Sequence, residues 1–93
     1  MIIETTTQQA IDKSRKLAEE LFNERVSITV YAMNIPGAWA GIVITAQDTS
    51  GHEVSLKFQP EYLLQIPEHE VRQYLSYLAE ELGRKNFLKP TQS

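Results

Sequence analysis

Hydrophobic residues recur along this chain with two different periods. Ala10, Ile11, Leu17, Ala18, Leu21 and Phe22 return at helical spacing, with Asp12, Lys13, Arg15, Lys16, Glu19 and Glu20 between them. Thr5-Thr6-Thr7 places N-cap hydroxyls ahead of that stripe and Asn23 closes it, which predicts a helix over 7–23. At Val26 the period becomes two. Val26, Ile28, Val30 and Ala32 alternate with Ser27, Thr29, Tyr31 and Met33, predicting a strand over 26–33 with one buried face. Asn34-Ile35-Pro36-Gly37 turns the chain into a second strand over 39–47, with Ala40, Ile42, Ile44 and Ala46 inward. Asp48-Thr49-Ser50-Gly51 leads to a third strand over 53–58, with Val54, Leu56 and Phe58 inward. Connections this short imply an antiparallel meander.

Gln59-Pro60 stops the third strand, and Pro60 to Leu64 can form a single helical turn. Pro67 suits the first position of a closing helix over 67–86, where Glu68 and Glu70 complement the helix dipole. Val71, Tyr74, Leu75, Leu78, Ala79 and Leu82 supply its apolar stripe, Gly83 marks its last turn or end, and residues 89–93 have no periodicity. The order α-β-β-β-α predicts an α+β domain. It is a two-layer sandwich, a three-stranded antiparallel meander with both helices on one face. The opposite sheet face is expected to lie open, carrying Ser27, Thr29, Tyr31, Trp39, Gly41, Val43, Thr45, Glu53, Ser55 and Lys57.

Composition narrows the setting. Ninety-three residues correspond to one domain, and 42% hydrophobic with 23% charged residues is ordinary globular content. The absence of cysteine removes disulfides, thiolate ligands and thiol nucleophiles, and fits a reducing cytoplasm. No apolar run reaches the roughly 20 residues of a membrane span, and Met1 to Thr5 carries no basic leader. A net charge of −3 gives no general attraction to nucleic acid.

Candidate chemistry is sparse. His52 sits in a turn and His69 opens the last helix, neither with a second ligand at a metal-binding offset. The carboxylates alternate with matching bases on helix faces, such as Glu68 with Arg72, Glu80 with Arg84 and Glu81 with Lys85. No glycine-rich loop is present to cradle a phosphate. No catalytic residue, metal site or cofactor is therefore expected, and the chain reads as a non-enzyme. Lys13, Arg15 and Lys16 form one basic grouping. Arg84, Lys85 and Lys89 form another, placed to complement a helix C-terminus or to meet an acidic partner.

The segment from Tyr31 to Trp39 is unusual because a hairpin turn is normally polar. Met33, Ile35, Pro36 and Trp39 lie in or beside this one, and aromatic residues and methionine are enriched at protein interfaces. Two readings stand side by side: an interface, or Trp39 and Ile35 folding back over the end of the core. Tyr77 lies off the main stripe of the last helix. The candidate partner-binding residues are Tyr31, Met33, Ile35, Trp39, Glu68, Glu70, Tyr77, Arg84 and Lys85.

The element order resembles the double-stranded-RNA-binding domain, a resemblance that implies phosphate contacts from lysines at the start of the second helix. Pro67-Glu68-His69-Glu70 occupies that place here, and its carboxylates repel phosphates. In size, acidity, lack of cysteine and α+β layout, the chain also resembles small accessory proteins of phages and mobile elements, anti-CRISPR proteins among them. That resemblance implies stoichiometric inhibition of a host nuclease or ribonucleoprotein complex in the cytoplasm. Glu19, Glu20, Glu68, Glu70, Glu80 and Glu81 would be the carboxylates facing a basic channel. The leading expectation is a protein-binding inhibitor or adaptor that contacts neither nucleic acid nor membrane directly. An RNA- or DNA-binding module and a homodimeric structural domain are the alternatives, and the chain could be monomer or homodimer.

Overall fold

The computed structural model describes residues 5–82, so Gly83, Arg84, Lys85, the last turns expected of the closing helix and the 89–93 tail lie outside the described residues. The elements are α1 (Thr5–Leu21), β1 (Val26–Ile35), β2 (Trp39–Asp48), β3 (Glu53–Phe58), α2 (Pro60–Gln65) and α3 (Glu68–Glu81). The expected single turn after Pro60 is a short helix, with Pro60 at its start where a missing N–H costs nothing. The strands form one antiparallel sheet in the order β1-β2-β3.

Register aligns the apolar rows. Val30 faces Ile44 and Ile44 faces Leu56, so alternate residues of all three strands meet the helices on one side. Leu17 of α1, Leu63 of α2 and Leu75 and Leu78 of α3 close over Ile42 and Ile44, all at 1% exposure or less. The architecture is the α+β sandwich that the alternating periods predict. Ser14, buried in α1, has a hydroxyl without a hydrogen-bond partner, and nothing in the structure explains it.

Charged side chains on the helices serve as struts. Lys13 Nζ donates to the carbonyls of Leu63 and Ile66 at 2.7 Å each, closing the C-terminal end of α2 against α1. Arg15 donates to the Val30 carbonyl at 2.9 Å, joining α1 to β1. Arg72 lies 3.5 Å from Glu20 and 3.7 Å from Glu68, spanning α1 and α3. Lys13 and Arg15, read from the sequence as part of a basic grouping, are thus committed to internal carbonyls.

The two hairpin turns differ in construction. Ile35-Pro36-Gly37-Ala38 closes β1 onto β2 through an Ala38 N–H to Ile35 carbonyl bond of 3.0 Å, with Gly37 at φ +77°. Proline followed by a left-handed glycine is the type II arrangement. At the other end, Asp48 Oδ1 accepts the N–H groups of Ser50 and His52 at 2.9 Å, and Gly51 takes φ +89°. One turn rests on backbone geometry, whereas the other is clamped by a carboxylate.

Two expectations about burial are corrected. Ala32 and Ala40 fall on the helix-facing side of the sheet yet are exposed. Length explains this: ten-residue β1 runs about 33 Å, whereas the 17 residues of α1 cover about 26 Å. The end of the β1–β2 ribbon therefore extends past the helices with both faces uncovered. Val43, expected on the open face, is only 2% exposed, although no second layer lies there. Its register neighbours Tyr31 and Lys57 flank it on either side.

Candidate functional site

Two surfaces gather the residues singled out from the sequence. The first is the ribbon end, Tyr31 to Ala40. Between Arg25 and Asp48 the chain carries no charged side chain, so this arm presents only apolar and neutral polar groups. Tyr31 is 38% exposed and Ile35 46% exposed, while Met33 and Trp39 are half-buried. All four lie on the open face, and Ile35 pairs with Trp39 across the strands.

Trp39 lies half-buried on the open face of the sheet, opposite Ile35. Its ring lies along the open face over Gly41, where an added Cβ would come within 2.5 Å of Trp39 Cζ2 and 2.6 Å of the Phe58 carbonyl oxygen. Gly41 is required because the indole occupies the side-chain position. Lys57 Nζ stands 5.7 Å from the indole centroid, within cation–π range. The tryptophan thus acts as a cover for the open face, which the Trp39–Gly41 spacing along one strand made possible.

The second surface is a groove of about 520 Å³ between β3 and α3, lined by Leu56, His69, Glu70, Gln73, Tyr74 and Tyr77. Behind it, Phe58, Tyr62 and Tyr74 form an aromatic cluster. Phe58 meets Tyr74 edge-on at 4.9 Å and Tyr62 in parallel at 6.4 Å. The Tyr62 and Tyr74 hydroxyls share a hydrogen bond of 2.7 Å. That bond, with partial desolvation and the nearby Glu70 charge, raises the Tyr62 pKa above the ordinary phenol value. Tyr77 is raised as well, chiefly by its hydrogen bond to Glu81 and that residue's charge.

Glu70 and Tyr77 therefore share one site, whereas Glu68 turns away to Arg72. Arg84 and Lys85 lie outside the described residues. The sequence reading missed Leu56, Gln73 and Tyr74 as groove residues because Tyr74 fits the core stripe equally well. The available signal was the set Glu70, Tyr74, Tyr77 and Glu81, which falls at i, i+4, i+7 and i+11 along one helix face. A wider hollow of about 700 Å³ lies between α1 and β1, with Arg15 among its lining residues.

His52 has a side chain 77% exposed and sits 3.4 Å from Asp48, while His69 lies at the groove. Among the described residues, no three histidine or carboxylate side chains converge as a metal-binding group. No described helix is long and apolar enough to cross a membrane.

Fold and surface define a two-layer α+β domain with an uncharged β arm at one end and a tyrosine-lined groove beside its third strand. Compared with protein-family models, curated proteins and solved structures, the chain matches none.

Proposed function

We propose that this protein is a non-catalytic protein-binding domain, an inhibitor or adaptor, that engages its partner through the β1–β2 arm. The carrying observation is the arm itself. A ribbon end open on both faces, without a charged side chain from Val26 to Gln47, is poorly suited to remaining alone in water. Tyr31 and Ile35 are its most exposed large side chains, and such groups supply contact energy at protein interfaces. The narrower reading, an anti-CRISPR protein acting on a nucleic-acid-processing complex in a host cytoplasm, rests on size, acidity and layout.

Binding to duplex RNA is the weaker reading. Lys13 and Arg15 are spent on backbone carbonyls, and Glu68 and Glu70 stand in the first turn of α3, where phosphates would approach.

The test compares the wild-type chain with a Tyr31→Ser/Ile35→Ser variant as bait in a bacterial lysate. Both side chains are exposed, so the variant should fold with nearly unchanged melting temperature. Support would be a partner complex held by the wild type and weakened at least tenfold by the variant, as loss of two anchoring side chains implies. Equal capture by both baits, or capture by neither, would sink the proposal. A doubled mass in light scattering that the variant abolishes would replace it with homodimerisation through the arm.

A further inference from the structure

We propose that the outer edge of β3 pairs with the same edge of a second copy of this chain, joining two sheets into one across a two-fold axis. The turn before β3 fixes which of its backbone groups are available. The Asp48 N–H donates to the His52 carbonyl at 3.0 Å, and the Gly51 N–H to the Asp48 carbonyl at 3.1 Å. Hydrogen-bonded and non-hydrogen-bonded pairs alternate along an antiparallel ladder. Val54, Leu56 and Phe58, opposite Ala46, Ile44 and Ile42, therefore bond to β2. Glu53, Ser55 and Lys57 turn their N–H and C=O groups outward, and among the described residues nothing bonds to those groups. The β1 edge differs, because its Val30 carbonyl is already taken by Arg15 at 2.9 Å.

Charge selects the occupant. Glu53, Ser55 and Lys57 are all exposed. Glu53 faces Gln47 in β2 and makes no ion pair among the described residues. Lys57 holds its amine 5.7 Å from the Trp39 ring centroid, a contact that leaves ammonium hydrogens for a carboxylate. An acid, a hydroxyl and a base at alternate positions become base, hydroxyl and acid when the strand runs the other way. Antiparallel pairing centred on Ser55 thus sets Glu53 of each copy against Lys57 of the other, and opposite charges directly across a ladder stabilise it. Registers centred on Val54 or Leu56 leave both charges unmatched. Those centred on Glu53 or Lys57 set like charges face to face. Charged edges ordinarily discourage strand addition, and this one discourages every strand that does not bring an acid to its lysine.

The other face of the seam is apolar. Val54 and Leu56 are half-buried on the helix side. In the register centred on Ser55, Val54 of each copy stands opposite Leu56 of the other at the closer, non-hydrogen-bonded spacing. Their partial exposure shows that α3 sits inboard of the edge and leaves the seam clear. Leu56 also lines the groove with Tyr74 and Tyr77, so an added strand lies beside that groove's apolar wall. A seam this short belongs to the small end of specific interfaces, and the pairing is expected to be weak.

Sedimentation equilibrium of the full chain tests the assignment from about 10 μM to about 1 mM, the range in which small interfaces dissociate. The mass should climb from 10.6 kDa toward twice that value. Lys57→Glu sets acid against acid at both ends of the seam, and Glu53→Lys sets base against base. Each should weaken self-association at least tenfold at low salt. Mixing the two variants restores opposite charges at both ends, as does Glu53→Lys/Lys57→Glu in one chain, so both samples should regain the wild-type mass. The one-chain exchange also loses the lysine over Trp39, so its recovery separates pairing from folding. Tyr31→Ser/Ile35→Ser should self-associate as the wild type does. A monomeric mass at the highest concentration, equal self-association in every charge variant, or a mixture that fails to recover would overturn the proposal. Loss of the dimer in the arm variant would place the contact on β1 and overturn it as well. A monomer would leave partner binding by the arm standing.

Discussion

The two ends of the β1–β2 ribbon share one alternating pattern and lie in opposite environments, with fully buried Ile42, opposite Ala32, at the boundary. At the end nearest Asp48, Val30, Ile44 and Ala46 are at 2% exposure or less beneath the helices. At the end nearest Gly37, Ala32 and Ala40 occupy the same side of the sheet and face solvent. Alternation decides which face a residue joins, but an overlying helix decides whether that face is buried. The covered end therefore supplies stability, whereas the bare end adds little to the core.

The sharpest test of this contrast is a matched pair of truncations. Ile44→Ala removes a side chain with no exposure from the middle of the core and should cost about 2–5 kcal/mol. Ile35→Ser, at 46% exposure on the arm, should change stability by no more than about 0.5 kcal/mol. Urea unfolding of both variants decides the matter, and comparable losses would mean that the arm belongs to the core.

Between those extremes lies Gly41, where covered sheet meets arm. Gly41→Ala sets a methyl group against both the Trp39 ring and the Phe58 carbonyl, and the carbonyl cannot move aside as a side chain can. A loss of about 1–3 kcal/mol is expected, as for overpacking generally, with a change in tryptophan fluorescence as the ring is displaced. Unchanged stability and fluorescence would show that Trp39 does not rest there.

The smallest effect should come from the clamped turn. Burial on its own would raise the Asp48 pKa. The His52 and Ser50 N–H groups and the His52 imidazole outweigh that, holding it below its ordinary 3.8. Because the folded value is the lower one, this contribution is complete above about pH 4. It is lost as the pH falls through the folded value. Melting temperature should therefore drop less steeply under acid in Asp48→Asn than in the wild type. Identical acid profiles would show that the carboxylate contributes nothing through ionisation.

Much of the fold was legible because each element carries its own punctuation. Pro36-Gly37 and Asp48 to Gly51 bound the strands, and the step from three-to-four spacing to two at Val26 separates α1 from β1. The site was less legible. Tyr74 satisfies the core stripe and the groove at once, so periodicity could not assign it. Trp39 stands on a face without a second layer, and only the structure shows its ring lying over Gly41, two residues along the same strand. Lys13 and Arg15 looked like solvated charges because their acceptors are carbonyls far along the chain.

The sequence by itself determined the alternation of periods, the antiparallel meander and which strand residues share a face, since these follow from neighbours within a few residues. Tertiary structure decided where cover ends. The lengths of α1 and α3 against β1 leave the arm bare, and the seating of α3 beside β3 opens the groove. Both depend on distances between elements, which local spacing along a chain does not encode.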